Sequence, residues 1–284
     1  MNKKGIFLAI LAAGLYATSS PLSKLLLQYV PEKLMAGLLY IGAGLCMGII
    51  AISRNLSKTE NQEKKLTKSE LPYVIGMIVL DILAPIFLLM GLNRTSAANA
   101  SLLNNFEIVA TAFVANFAFK EKITKRLWLG ILFVTASCAI LSVEDASSFQ
   151  FSTGSLFVLL AAVCWGFENN CTRKISSKDP LQIVLLKGIF SGLGSLMIGL
   201  FLGERFALVW PIFAVLGVGC VAYGLSIYYY VYAQRLLGAA KTSAYYSVAP
   251  FIGALLSLII FGEMPGPHFF LALVFMAIGA WLSA

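Results

Sequence analysis

Four ionisable side chains, Asp81, Glu107, Glu168 and Lys187, stand in the middle of long apolar runs rather than at their ends. A charge at the centre of a membrane-crossing helix costs about 2.5–3.5 kcal/mol on an insertion scale, whereas each Leu, Ile, Phe or Val returns only about 0.3–0.6 kcal/mol. Side chains kept at that cost face a protein interior or a wet cavity. There they can carry an ion or a proton, meet a charged ligand, or lock two helices together. Asp81 and Glu107 each lie thirteen residues from Arg94, where two apolar runs turn, so the same depth is expected for both. Two neighbouring carboxylates in low dielectric cannot both ionise cheaply, which suits a proton carrier or a site for a cationic amine. Hydrogen bonding within a bundle is the plainer reading of the same pair. Glu168 and Lys187 flank a turn around Ser177 at similar distances and are expected as a buried ion pair, either structural or gating. Asn104 and Asn105 stand beside Glu107, and Trp165 and Asn169 beside Glu168; with Tyr223 and Tyr246 they are the expected lining of a cavity.

Other chemistries lack their residues. The lone His268 stands before the last apolar run, and no HExxH, Walker or nucleophile constellation is present. The five cysteines (46, 138, 164, 171 and 220) fall inside apolar runs without CxxC spacing and read as packing residues. An enzyme is not expected, nor is a metal or a cofactor.

The elements that must position these residues are membrane helices. The chain has 284 residues, 59% of them hydrophobic and only 12% charged, with a mean hydropathy of +0.86, whereas soluble domains carry about 25% charged residues. A bilayer crossing takes roughly 20 apolar residues. Ten runs qualify, at about 5–27, 33–53, 70–92, 96–119, 126–143, 154–173, 181–202, 207–235, 241–262 and 267–283. The net charge of +8 follows the connections between them. With the N-terminus in the cytoplasm, that side takes most of the 21 basic residues, among them Lys3, Lys4, Arg54, Lys64, Lys65, Lys120, Lys125, Arg126, Arg173, Lys174 and Arg235. The opposite side keeps Lys24, Lys33, Arg94 and Arg205. This is the positive-inside pattern with both termini cytoplasmic, and it removes nucleic acid as a partner.

The run containing Glu107 recurs. At an offset of 142, residues 95–121 match 237–263, pairing Ala97 with Ala239, Ala98 with Ala240, Ser101 with Ser243, Phe119 with Phe261 and Glu121 with Glu263. Ala249, followed by Pro250, stands where Glu107 would, and Tyr223 where Asp81 would. An offset of 149 pairs Gly5 with Gly154, Leu11 with Leu160, Ala12 with Ala161, Ala13 with Ala162 and Pro31 with Pro180, so the first run reads as helix 1 rather than a leader. The expected fold is all-α and integral to the membrane, with ten transmembrane helices in two repeats, residues 1–147 and 148–284. Five crossings per repeat invert the second against the first, and substrate sites in such proteins lie near the bilayer midplane between repeats. Pro21, Pro85 and Pro250 mark three runs as sites of kinks or breaks. Gly44, Gly48, Gly188 and Gly192 allow close helix approach, inside the bundle or in a dimer.

The residues Ala162 to Gly166 (AVCWG) with their echo Ala13 to Ala17, the stretch Gly91-Leu92 followed by Ser96-Ala97-Ala98 and Ser101, and Phe119-Lys120-Glu121 with Phe261-Gly262-Glu263 resemble the drug/metabolite transporter superfamily in its ten-helix EamA-type branch. The resemblance covers essentially the whole chain. It implies a central cavity and secondary transport, commonly export of amino acids, related metabolites or toxic compounds. It supplies no coupling residue, because helix 1 has no acidic side chain in its interior. The expectation is a secondary transporter of small polar metabolites in the cytoplasmic membrane, an exporter or exchanger with protons as candidate coupling ion, working among membrane lipids as a monomer or homodimer. A lipid-linked flippase or uncoupled facilitator is the alternative.

Overall fold

The computed structural model describes residues 3–56, 63–119, 124–145, 150–237, 242, 245–262 and 265–283. Lys120, Glu121, Ala239, Ala240, Ser243 and Glu263 of the recurring motifs lie outside the described residues. The helices are α1 (Lys3–Ala17), α2 (Ser19–Leu26), α3 (Glu32–Leu56), α4 (Leu71–Leu92), α5 (Ala97–Leu103), α6 (Phe106–Phe119), α7 (Lys125–Ser142), α8 (Thr153–Ile175), α9 (Pro180–Leu186), α10 (Gly192–Phe201), α11 (Trp210–Val218), α12 (Ser226–Leu237), α13 (Ala249–Phe261) and α14 (Pro267–Ser283). Two π-helical segments, Lys187–Ser191 and Gly219–Leu225, join α9 to α10 and α11 to α12. A small antiparallel pair, β1 (Val143–Asp145) and β2 (Gln150–Phe151), ties the end of α7 to the start of α8, and the other elements among the described residues are helical.

Among the described residues, six helical stretches are long and apolar enough to cross a bilayer: Lys3–Leu26, Glu32–Arg54, Lys68–Leu92, Lys125–Ser142, Pro180–Phe201 and Trp210–Leu237. Ala249–Phe261 and Pro267–Ser283 are shorter apolar helices. Burial is distributed as lipid requires. Phe201, Ile49, Phe213 and Trp281 are exposed, while Asp81, Glu168 and Lys187 are buried at 0%, 3% and 3% exposure. A soluble protein has the reverse arrangement.

Helix ends follow local chemistry. Asp179 caps α9 by accepting from the Leu181 N–H at 3.0 Å, with Pro180 next in the first turn. Glu70 accepts from the Thr67 N–H at 2.7 Å before α4. Thr18 separates α1 from α2 and turns its hydroxyl onto the Leu15 carbonyl at 2.8 Å. Pro85 does not break α4, which runs unbroken from Leu71 to Leu92; it removes only the amide that would have met the Asp81 carbonyl. Asn104 and Asn105 divide α5 from α6, and Ser247 and Val248 form a turn before α13.

Close packing centres on α3. A Cβ on Gly188 would fall 2.3 Å from the Gly44 backbone nitrogen, and one on Gly219 would fall 2.1 Å from the Leu39 carbonyl oxygen. Both π segments therefore lie backbone against backbone on α3, which only glycine permits. This contact lies inside the bundle and occupies Gly44 and Gly188.

Candidate functional site

The buried charges meet where α3, α4, α6 and α8 face the two π segments. Trp165, Glu168, Asn169 and Thr172 follow one another at helical spacings of three and four residues, so α8 presents them on one face. Lys187 opens the first π segment, and π segments often mark places where a helix aims a functional side chain. Its ammonium lies 2.8 Å from Glu168 Oε1 and 3.2 Å from Asp81 Oδ2. The Tyr40 hydroxyl donates to Asp81 Oδ1 at 2.7 Å, and the Thr172 hydroxyl donates to Glu168 Oε1. One lysine thus serves two carboxylates.

Glu107 stands apart from that cluster, in the first turn of α6. Its Oε1 accepts from the Asn169 amide, and it makes no ion pair among the described residues. Asp81 and Glu107 line the same cavity, yet Asp81 spends its oxygens on Tyr40 and Lys187, so the two carboxylates are not hydrogen-bonded to each other. The cavity holds about 50 Å³ of free space, room for a few waters.

Aromatic rings close the rest of the wall. Tyr16 is at their centre, with ring centroids 6.3 Å from Trp165, 5.9 Å from Tyr223 and 5.9 Å from Tyr246. Tyr223 lies 5.2 Å from Tyr40, and Tyr230 lies 4.7 Å from Tyr246. Asn104 and Asn105 do not reach the main cavity. They line an adjoining pocket with Tyr16, Glu107, Tyr246 and Pro250, where Asn104 Oδ1 and Asn105 Nδ2 are buried without a hydrogen-bond partner among the described residues. Of the residues named from sequence, Asp81, Glu107, Trp165, Glu168, Asn169, Lys187, Tyr223 and Tyr246 line one cavity. Tyr16, Tyr40, Thr172, Ile227 and Tyr230 were not anticipated. Two of these had a signal: Tyr16 matches Trp165 at the 149 offset, and Thr172 is one turn beyond Glu168.

The sequence pattern of the EamA-like transporter family matches residues 3–143 and again residues 152–284. The chain belongs to that family. As an EamA-like transporter it is a multi-pass integral membrane protein and not an enzyme, with a small molecule as its substrate. It is 25% identical over 275 residues to an uncharacterized transporter of Methanothermobacter thermautotrophicus, covering 91% of this chain and 80% of that one. It is also 22% identical over 269 residues to the uncharacterized transporter YyaM of Bacillus subtilis (strain 168), covering 90% and 86%. A crystal structure at 18% identity superimposes on 98% of this EamA-like chain and 94% of its own with a TM-score of 0.70, a likeness of fold.

Proposed function

We propose that the chain is a secondary active transporter that moves small polar metabolites, such as amino acids or related amines, by alternating access and in exchange for protons. The observation that carries this reading is the buried cavity in which Glu107 stands beside the Asp81–Lys187–Glu168 cluster. In this reading Asp81 and Glu107 form the ion or amine site, Trp165, Asn169, Tyr223 and Tyr246 line it, Asn104 and Asn105 line its annexe, and the Glu168–Lys187 pair changes between states. A cavity of about 50 Å³ cannot hold an amino acid, which fits a closed state of the cycle.

Ten crossings in two inverted repeats, residues 1–147 and 148–284, fit the double family match and the helix breaks at residues 104–105 and 247–248, near equivalence at the 142 offset. The proposal places both termini in the cytoplasm and the protein in the cell membrane, following the basic connections. On that face, among the described residues, three ion pairs join the proposed repeats: Arg54 with Asp179 at 2.7 Å, Glu70 with Lys178 at 3.2 Å, and Glu63 with Arg235 at 2.6 Å. The other face joins them through Lys33 and Glu204 at 2.7 Å. The cytoplasmic side is therefore read as the closed one. Five of the six side chains keep contact with solvent, Asp179 being the buried one, and ion pairs that water reaches are individually weak, so Arg54→Ala alone should change cytoplasmic accessibility less than about fivefold. Arg54→Ala, Glu70→Ala and Arg235→Ala together should raise it about tenfold or more, as read by thiol labelling of a cavity cysteine.

The function is tested by flux in proteoliposomes at two pH values. Flux driven by a proton gradient and lost in Glu107→Gln is expected. Flux that ignores the gradient and survives Glu107→Gln would overturn the coupling.

One observation favours a second reading, a lipid-linked flippase or facilitator. An apolar groove of about 330 Å³ between α6 and α8, the helices that carry Glu107 and Glu168, is lined by residues including Phe106, Phe113, Phe117 and Phe167. Scrambling of labelled phospholipid by the purified protein would select this reading.

A further inference from the structure

The charges lining the cavity and its annexe are unequal in number and unequal in availability. Asp81, Glu107 and Glu168 supply three carboxylates, and Lys187 is the only cation among the described lining residues. Lys187 is already held by Asp81 at 3.2 Å and Glu168 at 2.8 Å. A carboxylate on a ligand would find no unpaired cation there and would face the field of Glu107. In the annexe the buried donor without a partner among the described residues, Asn105 Nδ2, is neutral. An ammonium group meets the opposite situation. Glu107 has an amide donor and no cation, Asn104 Oδ1 is a buried acceptor without a partner, and the rings of Tyr16, Trp165 and Tyr246 surround the same space. Aromatic faces attract cations, most strongly where water is excluded.

We infer that the cavity selects organic amine cations that carry no carboxylate, with the ammonium seated at Glu107 and Asn104 and the apolar body against Tyr16, Trp165 and Tyr246. This rests on the transporter reading and narrows its substrate class, from amino acids and amines to amines alone. The Asp81–Lys187–Glu168 cluster then acts as an internal counter-ion set: it keeps Lys187 from attracting anions and holds α4, α8 and the first π segment in register around the site. Discrimination of this kind is strong because a misplaced charge left unpaired in a buried site is costly.

The test is a matched ligand comparison on the full-length protein in detergent, by calorimetric titration. Butylamine, putrescine and phenethylamine are set against norvaline, ornithine and phenylalanine, each amino acid adding only an α-carboxylate to its amine. At least one amine is expected to bind, with its matched amino acid weaker by about a hundredfold. Glu107→Gln, which keeps side-chain volume, is expected to weaken that amine about tenfold or more. An amino acid that binds as well as its amine overturns the inference, as does failure of all three amines or an amine affinity unchanged in Glu107→Gln. The ligand comparison is made on the unaltered protein, so it stands whether or not the variant folds. Flux of the same ligands into proteoliposomes separates the two levels. An amino acid transported without amine binding leaves the transporter reading standing and removes the inference, and an amine bound but never moved does the reverse.

Discussion

Lys187→Met is expected to cost about 3–5 kcal/mol of stability, because it leaves the carboxylates of Asp81 and Glu168 buried against each other without their cation. The Met stem fills nearly the same volume as that of Lys, so the loss is electrostatic rather than a cavity. The remaining donors, the Tyr40 and Thr172 hydroxyls, can satisfy only part of two carboxylates at 0% and 3% exposure. Neutralising the whole set is a different experiment. The triple variant Asp81→Asn, Glu168→Gln, Lys187→Met removes every uncompensated charge and should return to within about 2 kcal/mol of the parent, since buried ion pairs contribute little net stability over well-packed neutral groups. Transport should remain absent in the triple variant, because the proposed cycle needs the pair to rearrange. Chemical denaturation in detergent and proteoliposome flux check the two halves. A single variant as stable as the parent would show that Lys187 does not hold the cluster.

The second large effect is steric. Gly188→Val is expected to cost about 3 kcal/mol, at the upper end of the overpacking range. Its Cβ would lie 2.3 Å from the Gly44 nitrogen and 2.4 Å from the Gly44 Cα, which are backbone atoms and cannot rotate away. Relief requires α3 and the first π segment to separate, and Lys187, the preceding residue, would move with that segment. Gly217→Ala is the control. Nothing lies within 4 Å of its Cβ position in α11, so it should be neutral or stabilising by up to about 1 kcal/mol through helix propensity. Thermal unfolding of the two variants should differ by several degrees in opposite directions; equal melting temperatures would contradict the close contact.

Depth was legible in the sequence, and direction around each helix was not. Glu168 and Lys187 are joined by a short turn, and a helix rises by a fixed amount per residue, so counting from Ser177 places them at one level; the structure separates their charged atoms by 2.8 Å. The same counting put Asp81 level with Glu107, and both line one cavity. It could not show that the Asp81 carboxylate points to Lys187 and Tyr40, because that depends on how α3, α4 and the first π segment pack laterally. Tyr40 gave no signal for the same reason: it sits in an ordinary apolar run with no repeat partner of similar chemistry. The π segments were invisible as well, since no local motif marks them and their glycine contacts with α3 are lateral. A proline in an apolar run marks a kink or a break, and at Pro85 the break does not occur, since α4 continues from Leu71 to Leu92.

The central claim is that the cavity around Glu107 and Lys187 is a passage open in turn to each side of the membrane. Its most direct test is a single cysteine at Ile227, a cavity-lining residue outside the charge network, in a protein whose native cysteines 46, 138, 164, 171 and 220 are replaced. Oriented proteoliposomes are exposed to a membrane-impermeant cationic thiol reagent from one side and then the other. Modification of Ile227→Cys from both sides, slowed by a bound amine, is the predicted result. A cysteine that reacts from one side only, or from neither, under every ligand and pH condition would contradict the account.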